Sequence, residues 1–174
     1  MRAIADSGRV RSFLRELGRE ANRETRLYLV GGASAVVEGW RDTTIDVDLK
    51  LAPESDRLLR AIPRLKESLH INVELASPEH FIPPVPGWEE RSPFVLKEGL
   101  LQVHHYDFYS QALAKIERSH EQDLEDVQAM ISRGLVEPPK LRELFGRIEP
   151  ELFRYPAIDP AAFRRAVERI LRQP

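Results

Sequence analysis

The most informative part of the sequence is residues 27–50, LYLVGGASAVVEGWRDTTIDVDLK. It opens with a short apolar run of strand-forming residues that stops at Gly31-Gly32, and a short helical pattern then ends at Gly39. Residues 44–51 alternate strictly between apolar and polar side chains, with Ile45 and its alternate neighbours on the apolar face, which is typical of a half-buried strand. This one stretch therefore predicts a strand, a glycine turn, a helix and a second strand with a charged face.

The glycine turn has the properties of an anion site. A strand that runs into Gly31-Gly32 and then into a helix leaves unpaired backbone N–H groups at the helix N-terminus, and these bind anions. Glycine also lets a phosphate approach the backbone closely, and Ser34 in the first helical turn is predicted to add a hydroxyl donor. Taken alone, a Gly-Gly pair more often marks only a tight turn. No His and Asp are placed in the sequence so as to suggest a catalytic triad with Ser34.

Two carboxylates face the same way on the strand that follows. Asp46 and Asp48 are two residues apart, so their Cα atoms are about 6.5–7 Å apart and their charges repel. Mg²⁺ resolves such repulsion and is commonly held by one or two carboxylates together with substrate phosphates. Glu74 has the same alternation on a second predicted strand, 70–76, and joins the two aspartates if the strands are neighbours, an arrangement that suits two-metal phosphoryl transfer. Without the glycine turn, a solvated strand face would be the simpler interpretation of the aspartates.

The other elements predict a small mixed sheet followed by helices. The first helix is predicted over 7–24 with Ser7 as its N-cap, and a hairpin turns at Glu98-Gly99. The proline-rich segment 77–93 is predicted to be an irregular surface loop. Only helices are predicted after Asp107, over 108–118, 122–132, 138–147 and 161–172. The order indicates an α/β (α+β) protein, with a core over 1–106 and a helical part over 107–174 in one compact domain.

Composition bounds the class of protein. The 174 residues are 42% hydrophobic and 31% charged, as in a globular domain, and the absence of cysteine excludes disulfides, thiolate nucleophiles and Cys-based metal sites. No apolar segment resembles a membrane span or a signal peptide, so a cytoplasmic protein is expected. The net charge of −2 divides into +3 over 1–26, −8 over 27–137 and +3 over 138–174. This fits a metal site flanked by surfaces that attract anions, or simply three solvated surfaces.

The order Gly31-Gly32-x-Ser34, about a dozen residues, then Asp46-Val47-Asp48-Leu49 resembles the nucleotidyltransferase superfamily of the DNA polymerase β type. The chain is similar, over roughly residues 25–170, to small bacterial proteins grouped as uncharacterised nucleotidyltransferases and, more distantly, to nucleotidyltransferase toxins of the AbiE type. The segment from Arg41 through Thr44 to Asp46 resembles their approach to the metal-binding strand.

The resemblance implies a role for each of these residues. The fold would be the minimal nucleotidyltransferase type, in which Asp46, Asp48 and Glu74 hold Mg²⁺ (or Mn²⁺) and Glu74 also acts as the base. The residues implied in nucleotide binding are Gly31, Gly32, Ser34, Arg41, Thr44, Lys115 and Asp123.

Lys115 and Asp123 come from a later motif. The toxin relatives carry a Lys on the helix after the sheet, followed by Arg-Asp-x-x-Asp; here Lys115 is followed by Asp123 and Asp126, with Gln122 in place of the Arg. Lys115 is expected to bind the triphosphate, and Asp123 to orient Lys115 or the acceptor. Otherwise the two residues form an ordinary surface pair.

Two functions follow from the resemblance. The first is Mg²⁺-dependent transfer of a nucleoside monophosphate from an NTP to a hydroxyl of RNA, protein or a small molecule, with release of pyrophosphate. No membrane partner is expected. The alternative is a catalytically weak or inactive binding module, such as a toxin–antitoxin component with a partner protein, or a nucleotide sensor. The intact Asp-x-Asp pair favours the enzyme, since a chain without catalysis has no reason to keep carboxylates that repel each other.

Overall fold

The computed structural model describes residues 3–173, which form two compact units. The first unit comprises residues up to Ser77 together with Ser92–Tyr106, and the second comprises Pro78–Arg91 and the residues from Asp107 onward. Most of the proline-rich segment, Pro78–Arg91, thus belongs to the helical unit, although in sequence it lies between strands of the first unit.

The first unit contains a mixed sheet with flanking helices. Its elements are β1 (Ala5–Asp6), α1 (Ser7–Glu20), β2 (Thr25–Val30), α2 (Gly31–Glu38), β3 (Thr43–Thr44), β4 (Asp46–Ala52), α3 (Asp56–Leu69), β5 (Asn72–Leu75), β6 (Phe94–Glu98) and β7 (Leu101–His105). The main sheet has the order β5-β4-β2-β7-β6, and β1 and β3 form a separate pair. Strand β2 is antiparallel to β4 and parallel to β7, β4 is parallel to β5, and β6 is antiparallel to β7. The small mixed sheet predicted from the sequence is confirmed.

The core of this unit lies between the sheet and helices α1 and α3. Helix α1 buries Val10, Phe13, Leu14 and Leu17, the apolar stripe that its helical spacing predicts. The helix is capped by Asp6, whose carboxylate accepts from the Arg9 backbone N–H at 2.8 Å, and not by the predicted Ser7. Both residue types cap well, but only Asp6 precedes the first helical residue in extended conformation.

Two apolar residues that the alternation of side chains predicts to be buried are exposed. Val47, Leu49 and Leu51 are buried as predicted, but Ile45 is 45% exposed. It lies between β3 and β4, outside either ladder, where the chain bends and the regular in–out order is lost. Leu75, which the alternation of 70–76 places inward, is 51% exposed at the end of the edge strand β5.

The second unit is helical. It contains α4 (Trp88–Arg91), α5 (Phe108–Arg118), α6 (Glu121–Ser132), α7 (Pro138–Ile148) and α8 (Pro160–Leu171), with 3-10 turns at Pro78–His80 and Glu149–Arg154. Helix α8 is capped by Asp159, whose carboxylate accepts from the Ala162 backbone N–H at 3.1 Å. In residues 3–173, no helix has the combined length and apolarity needed to cross a membrane.

The segment predicted as an irregular loop, 77–93, is partly helical. It holds the first 3-10 turn and α4, and it buries Ile82 and Val85. The Tyr155 hydroxyl also donates to the Glu79 carbonyl oxygen at 2.9 Å. Short helical turns of this segment therefore pack within the second unit.

A pair of glycine substitutions tests how closely α1 approaches the sheet. A Cβ on Gly18 would lie 2.4 Å from the Glu98 Cβ and 2.7 Å from the Glu98 backbone oxygen, whereas a Cβ on Gly146 in α7 would meet nothing within 4 Å. We expect Gly18→Ala to lower the free energy of unfolding by about 1–3 kcal/mol because of the overlap. Gly146→Ala should raise it by about 0.5–1 kcal/mol through helix propensity. Urea unfolding measures both, and an equal stabilisation by the two substitutions would contradict the close approach of α1 to β6.

Candidate active site

The glycine turn lies beside the acidic strand. Because β2 and β4 are antiparallel and pair Val30 with Asp48, the chain enters the turn next to that carboxylate. Gly31 adopts φ +59°, a left-handed conformation that favours glycine, and a Cβ there would lie 3.3 Å from Asp48 Oδ2. The two predicted halves of the site, the turn and the acidic strand, therefore meet at Gly31 and Asp48.

The second glycine is required by a protein contact. A Cβ on Gly32 would lie 2.1 Å from Thr44 Oγ1 and 3.5 Å from Arg41 Nη1. Thr44 is buried, and its hydroxyl donates to the Asp46 carbonyl oxygen at 2.9 Å. The structure thus brings Arg41 and Thr44 against the turn, and Thr44 fixes the start of the acidic strand. Gly32 is needed for this packing whether or not a phosphate approaches it.

The three predicted acids lie on neighbouring strands. The parallel pairing of β4 with β5 sets Asp46 opposite Asn72 and Asp48 opposite Glu74, so these side chains share one face of the sheet. The Asn72 amide donates to Asp46 Oδ1, and also to Glu74 Oε1 at 3.3 Å. This donor lies between two carboxylates and reduces their repulsion. The sequence argument missed Asn72, although its two-residue spacing from Glu74 places it on the same strand face.

The carboxylates fit a cation that is shared with a ligand. Asp46 and Asp48 are half-buried and Glu74 is exposed. Within residues 3–173, no three His, Asp or Glu side chains form a group able to hold a metal ion by themselves. Two carboxylates completed by substrate phosphates are a common Mg²⁺ environment, so the donor chemistry of Asp46 and Asp48 suits that ion. Glu74 accepts from Asn72 through Oε1 only, which leaves its second carboxylate oxygen outside this hydrogen bond, and its role as a third ligand stays a prediction.

Ser34 does not face the turn. It has no exposed surface, and its Oγ lies 2.7 Å from His105 Nδ1. The other ring nitrogen of His105, Nε2, lies 3.1 Å from Glu38 Oε2. The hydroxyl expected to bind phosphate is thus directed into the unit, where the chain Ser34–His105–Glu38 joins α2 to β7. The sequence gives no signal for this, because Ser34 and His105 are 71 positions apart.

The His105 ring is neutral at pH 7. Burial, followed by the positive charges of Arg11 and His104, lowers the pKa of His105 from 6.5 to about 4. The neutral ring then donates from Nε2–H to the Glu38 carboxylate and accepts the Ser34 hydroxyl at Nδ1. These hydrogen bonds resemble those of a serine nucleophile and its base. Because Ser34 is completely buried, however, the hydrogen bonds among Ser34, His105 and Glu38 have a structural role.

Lys115 and Asp123 lie in the second unit, in a buried ion cluster. Lys115 Nζ is 3.3 Å from Asp123 Oδ1 and 2.7 Å from Asp126 Oδ2, and Arg118 lies 2.7 Å from Asp123 Oδ1. Lys115, Asp123 and Asp126 are all buried, so they do not form the ordinary surface pair that was the alternative. Asp123 is placed to orient Lys115; contact of either residue with a nucleotide stays a prediction.

Removal of the Lys115 ammonium should destabilise the fold. In Lys115→Met, the buried Asp123 and Asp126 lose the cation between them, and we expect the free energy of unfolding to fall by about 3–5 kcal/mol. Lys140→Met is the matched control, because Lys140 forms an exposed pair with Glu143; its effect should stay within about 0.5 kcal/mol. Similar urea midpoints for the two variants would contradict the buried cluster.

Stability should also depend on pH through His105. The unfolded chain takes up a proton near pH 6.5 and the folded chain only near pH 4. Stability therefore falls as the pH is lowered through this range, by about 3 kcal/mol from this residue. His105→Gln should flatten that part of the curve, whereas His120→Gln, at an exposed histidine, should leave it unchanged. Urea unfolding between pH 4 and 7 measures the difference, and parallel curves for wild type and His105→Gln would show that the ring does not carry it.

The glycine turn, the acidic strand faces and the Lys115 cluster all lie within the part of the chain that one family model covers. The model for "Nucleotidyltransferase of unknown function (DUF6036)" matches residues 8–157. Comparison with curated proteins and with solved structures gave no match. The match spans most of the 174 residues, including parts of both units. The chain therefore belongs to this family of nucleotidyltransferases of unknown function.

Proposed function

We propose that this protein transfers a nucleoside monophosphate from an NTP to an acceptor hydroxyl on RNA, protein or a small molecule, with Mg²⁺ or Mn²⁺, and releases pyrophosphate. The observation that supports it most is the position of Asp48, which lies beside the Gly31 turn and opposite Glu74 on the neighbouring strand. An anion-binding turn next to two cation-binding carboxylates matches the charge pattern of a metal triphosphate.

The triphosphate is bound by backbone and guanidinium donors in this proposal. The N-terminus of α2 presents N–H groups at Gly31-Gly32, and Arg41 lies against the same turn. An Arg side chain offers two parallel donors to phosphate oxygens. Because Ser34 is buried on His105, its hydroxyl supports α2 from inside and does not serve as the phosphate donor.

Asp46 and Asp48 hold the metal ion, which supplies charge neutralisation for the triphosphate and the leaving pyrophosphate. Two contacts keep Asp46 in place: the Thr44 hydroxyl on its carbonyl oxygen and the Asn72 amide on its carboxylate. Precise placement matters here, since transfer depends mainly on positioning and on electrostatics.

The transfer step uses Glu74 as the base. The acceptor oxygen forms a bond to the α-phosphorus while the bond from that phosphorus to the bridging oxygen breaks and pyrophosphate leaves. The proton of the acceptor hydroxyl goes to the Glu74 carboxylate, which is exposed and pairs in register with Asp48. An acceptor that approaches from solvent thus meets the base next to the metal-binding carboxylate.

The Asn72 contacts favour a second candidate. Its amide binds both Asp46 and Glu74, which are two of the three carboxylates that transfer needs. If these contacts persist with nucleotide bound, the protein is a catalytically weak or inactive binding module, such as a toxin–antitoxin component or a nucleotide sensor. The two candidates share nucleotide binding and differ only in transfer.

Replacement of both aspartates by asparagine separates stability from function. Asp46→Asn/Asp48→Asn keeps the side-chain shape and an oxygen that accepts from Asn72, but it removes two charges that repel. Without metal, the double variant should be as stable as wild type or more stable. Mg²⁺ with NTP should raise the wild-type Tm by roughly 5–10 °C at a hundredfold excess over Kd, and this shift should vanish in the variant. Asp42→Asn, at an exposed neighbouring acid, is the matched control and should behave as wild type.

Transfer itself is measured by incubating wild type and both variants with each α-labelled NTP, Mg²⁺ and either total RNA or lysate. Label on RNA, protein or a small molecule that requires Asp46 and Asp48 supports the transferase. A Tm shift without labelled product identifies the binding module. Identical melting curves with and without Mg²⁺-NTP would refute both candidates.

A further inference from the structure

An open cleft of about 850 Å³ lies at the other end of the first unit's sheet from the glycine turn. It includes Arg23, which precedes β2, and Glu54, which follows β4. Since β2 and β4 are antiparallel, the pair Arg26 and Ala52 marks this end, and Val30 and Asp48 mark the end at the turn. Strand β2 separates the two ends by roughly 17 Å, so the cleft is separate from the candidate active site.

Four arginines line this cleft, which we call the arginine cleft: Arg23, Arg57, Arg60 and Arg64. Arg57, Arg60 and Arg64 follow one another on α3, and the first and last are about 10 Å apart along the helix. The result is an extended row of guanidinium groups, with Arg23 contributed by the segment before β2.

Three of the arginines are already oriented by the protein. Arg57 Nε donates to the Glu20 carbonyl oxygen at 2.6 Å, and Arg64 Nη2 lies 2.6 Å from Glu20 Oε1. Arg23 donates to the Glu54 carbonyl oxygen. Arg60 differs: it is exposed, and no hydrogen bond or ion pair within residues 3–173 uses its guanidinium. The carboxylate of Glu20 thus pairs with both Arg57 and Arg64, whereas Arg60 makes no such pair among the described residues.

The lining indicates the class of ligand. It is almost entirely polar or charged, with Ala61 as its apolar member, and no aromatic side chain lines it. Small-molecule pockets are mostly apolar, and recognition of nucleobases in single strands relies on aromatic stacking. Arginine forks in a row instead match successive phosphates.

We propose that the arginine cleft binds the phosphodiester backbone of RNA, through its phosphates and without reading the bases. The length of the arginine row favours phosphates spread along a chain over a single phosphate group. The lining carries these four arginines against Glu20, Glu54 and Asp56, a local charge of +1 in a chain whose net charge is −2. Glu20 is already paired with Arg57 and Arg64, so the attraction of phosphates depends mainly on Arg60. The proposal does not rest on nucleotidyl transfer, since the cleft needs neither metal nor NTP.

The test is fluorescence anisotropy of a labelled oligouridine RNA of about 12 nucleotides, without Mg²⁺ or NTP. Wild type should bind with a salt dependence of roughly two to three released counterions. Arg60→Glu should weaken binding about tenfold and reduce the salt slope by about 1, with unchanged Tm because Arg60 makes no hydrogen bond or ion pair within residues 3–173. Arg147→Glu is the matched control, since Arg147 is exposed on α7 and outside the cleft; its affinity should stay within about twofold.

Two further measurements test whether RNA binding depends on the candidate active site and whether the ligand is RNA or a free polyphosphate. Asp46→Asn/Asp48→Asn should bind the RNA as wild type does, so that loss of nucleotide function leaves this proposal standing. Inorganic tripolyphosphate is the second probe, because it has the same phosphate chemistry without a nucleic-acid chain. Tighter binding of RNA than of tripolyphosphate, at equal phosphate concentration, supports RNA as the ligand. Tighter binding of tripolyphosphate would identify a free polyphosphate as the ligand and overturn the RNA proposal. Equal RNA affinity of wild type and Arg60→Glu, or equal losses in Arg60→Glu and Arg147→Glu, would also overturn it.

Discussion

The antiparallel pairing of β2 with β4 is the constraint on which the candidate site depends. It sets Val30 opposite Asp48, so the chain leaves β2 and turns at Gly31 directly beside a carboxylate. A left-handed φ at Gly31 and the contact of Thr44 with Gly32 leave no room for a side chain at the turn. The glycines are therefore required by the fold itself, whether or not the N-terminus of α2 binds an anion.

Polar side chains inside each unit hold the elements around them. Ser34 and Glu38, one helical turn apart on α2, both contact His105 on β7, so α2 is fixed by hydrogen bonds as well as by apolar packing. In the second unit the Lys115 ammonium joins α5 to α6 through Asp123 and Asp126. Buried polar groups that are satisfied specify one arrangement, and they are costly when one partner is removed. Such groups explain why residues that look functional in a motif also carry stability.

Local periodicity was sufficient to predict a helix or strand wherever that element packs one face against a hydrophobic core. The apolar stripe of α1 and the cap of α8 at Asp159 were predictable because the information lies within a few residues. Ile45 failed because its exposure depends on where the chain bends between two strands. In the candidate site, too, local features were predictable and distant contacts were not. The two carboxylates at positions i and i+2 could be recognised in the sequence. The inward direction of Ser34 depends on His105, a partner distant in sequence. The pairing of β4 with β5, which the site needs, is likewise a tertiary property.

Opposite ends of the same two strands lie beside different sets of charged side chains. At one end, the start of β4 places Asp46 and Asp48 beside the glycine turn; at the other, the end of β4 and the start of β2 meet the arginines of α3. Because the strands are antiparallel, each contributes to both ends, and segments of different charge in sequence are mixed there. The net charge of a long segment of sequence therefore does not predict the charge at either end of the sheet. That charge depends on the direction in which each strand runs. In the two proposals made above, one end of the sheet binds a metal triphosphate and the other binds phosphates of RNA, and the two sites are about one strand length apart.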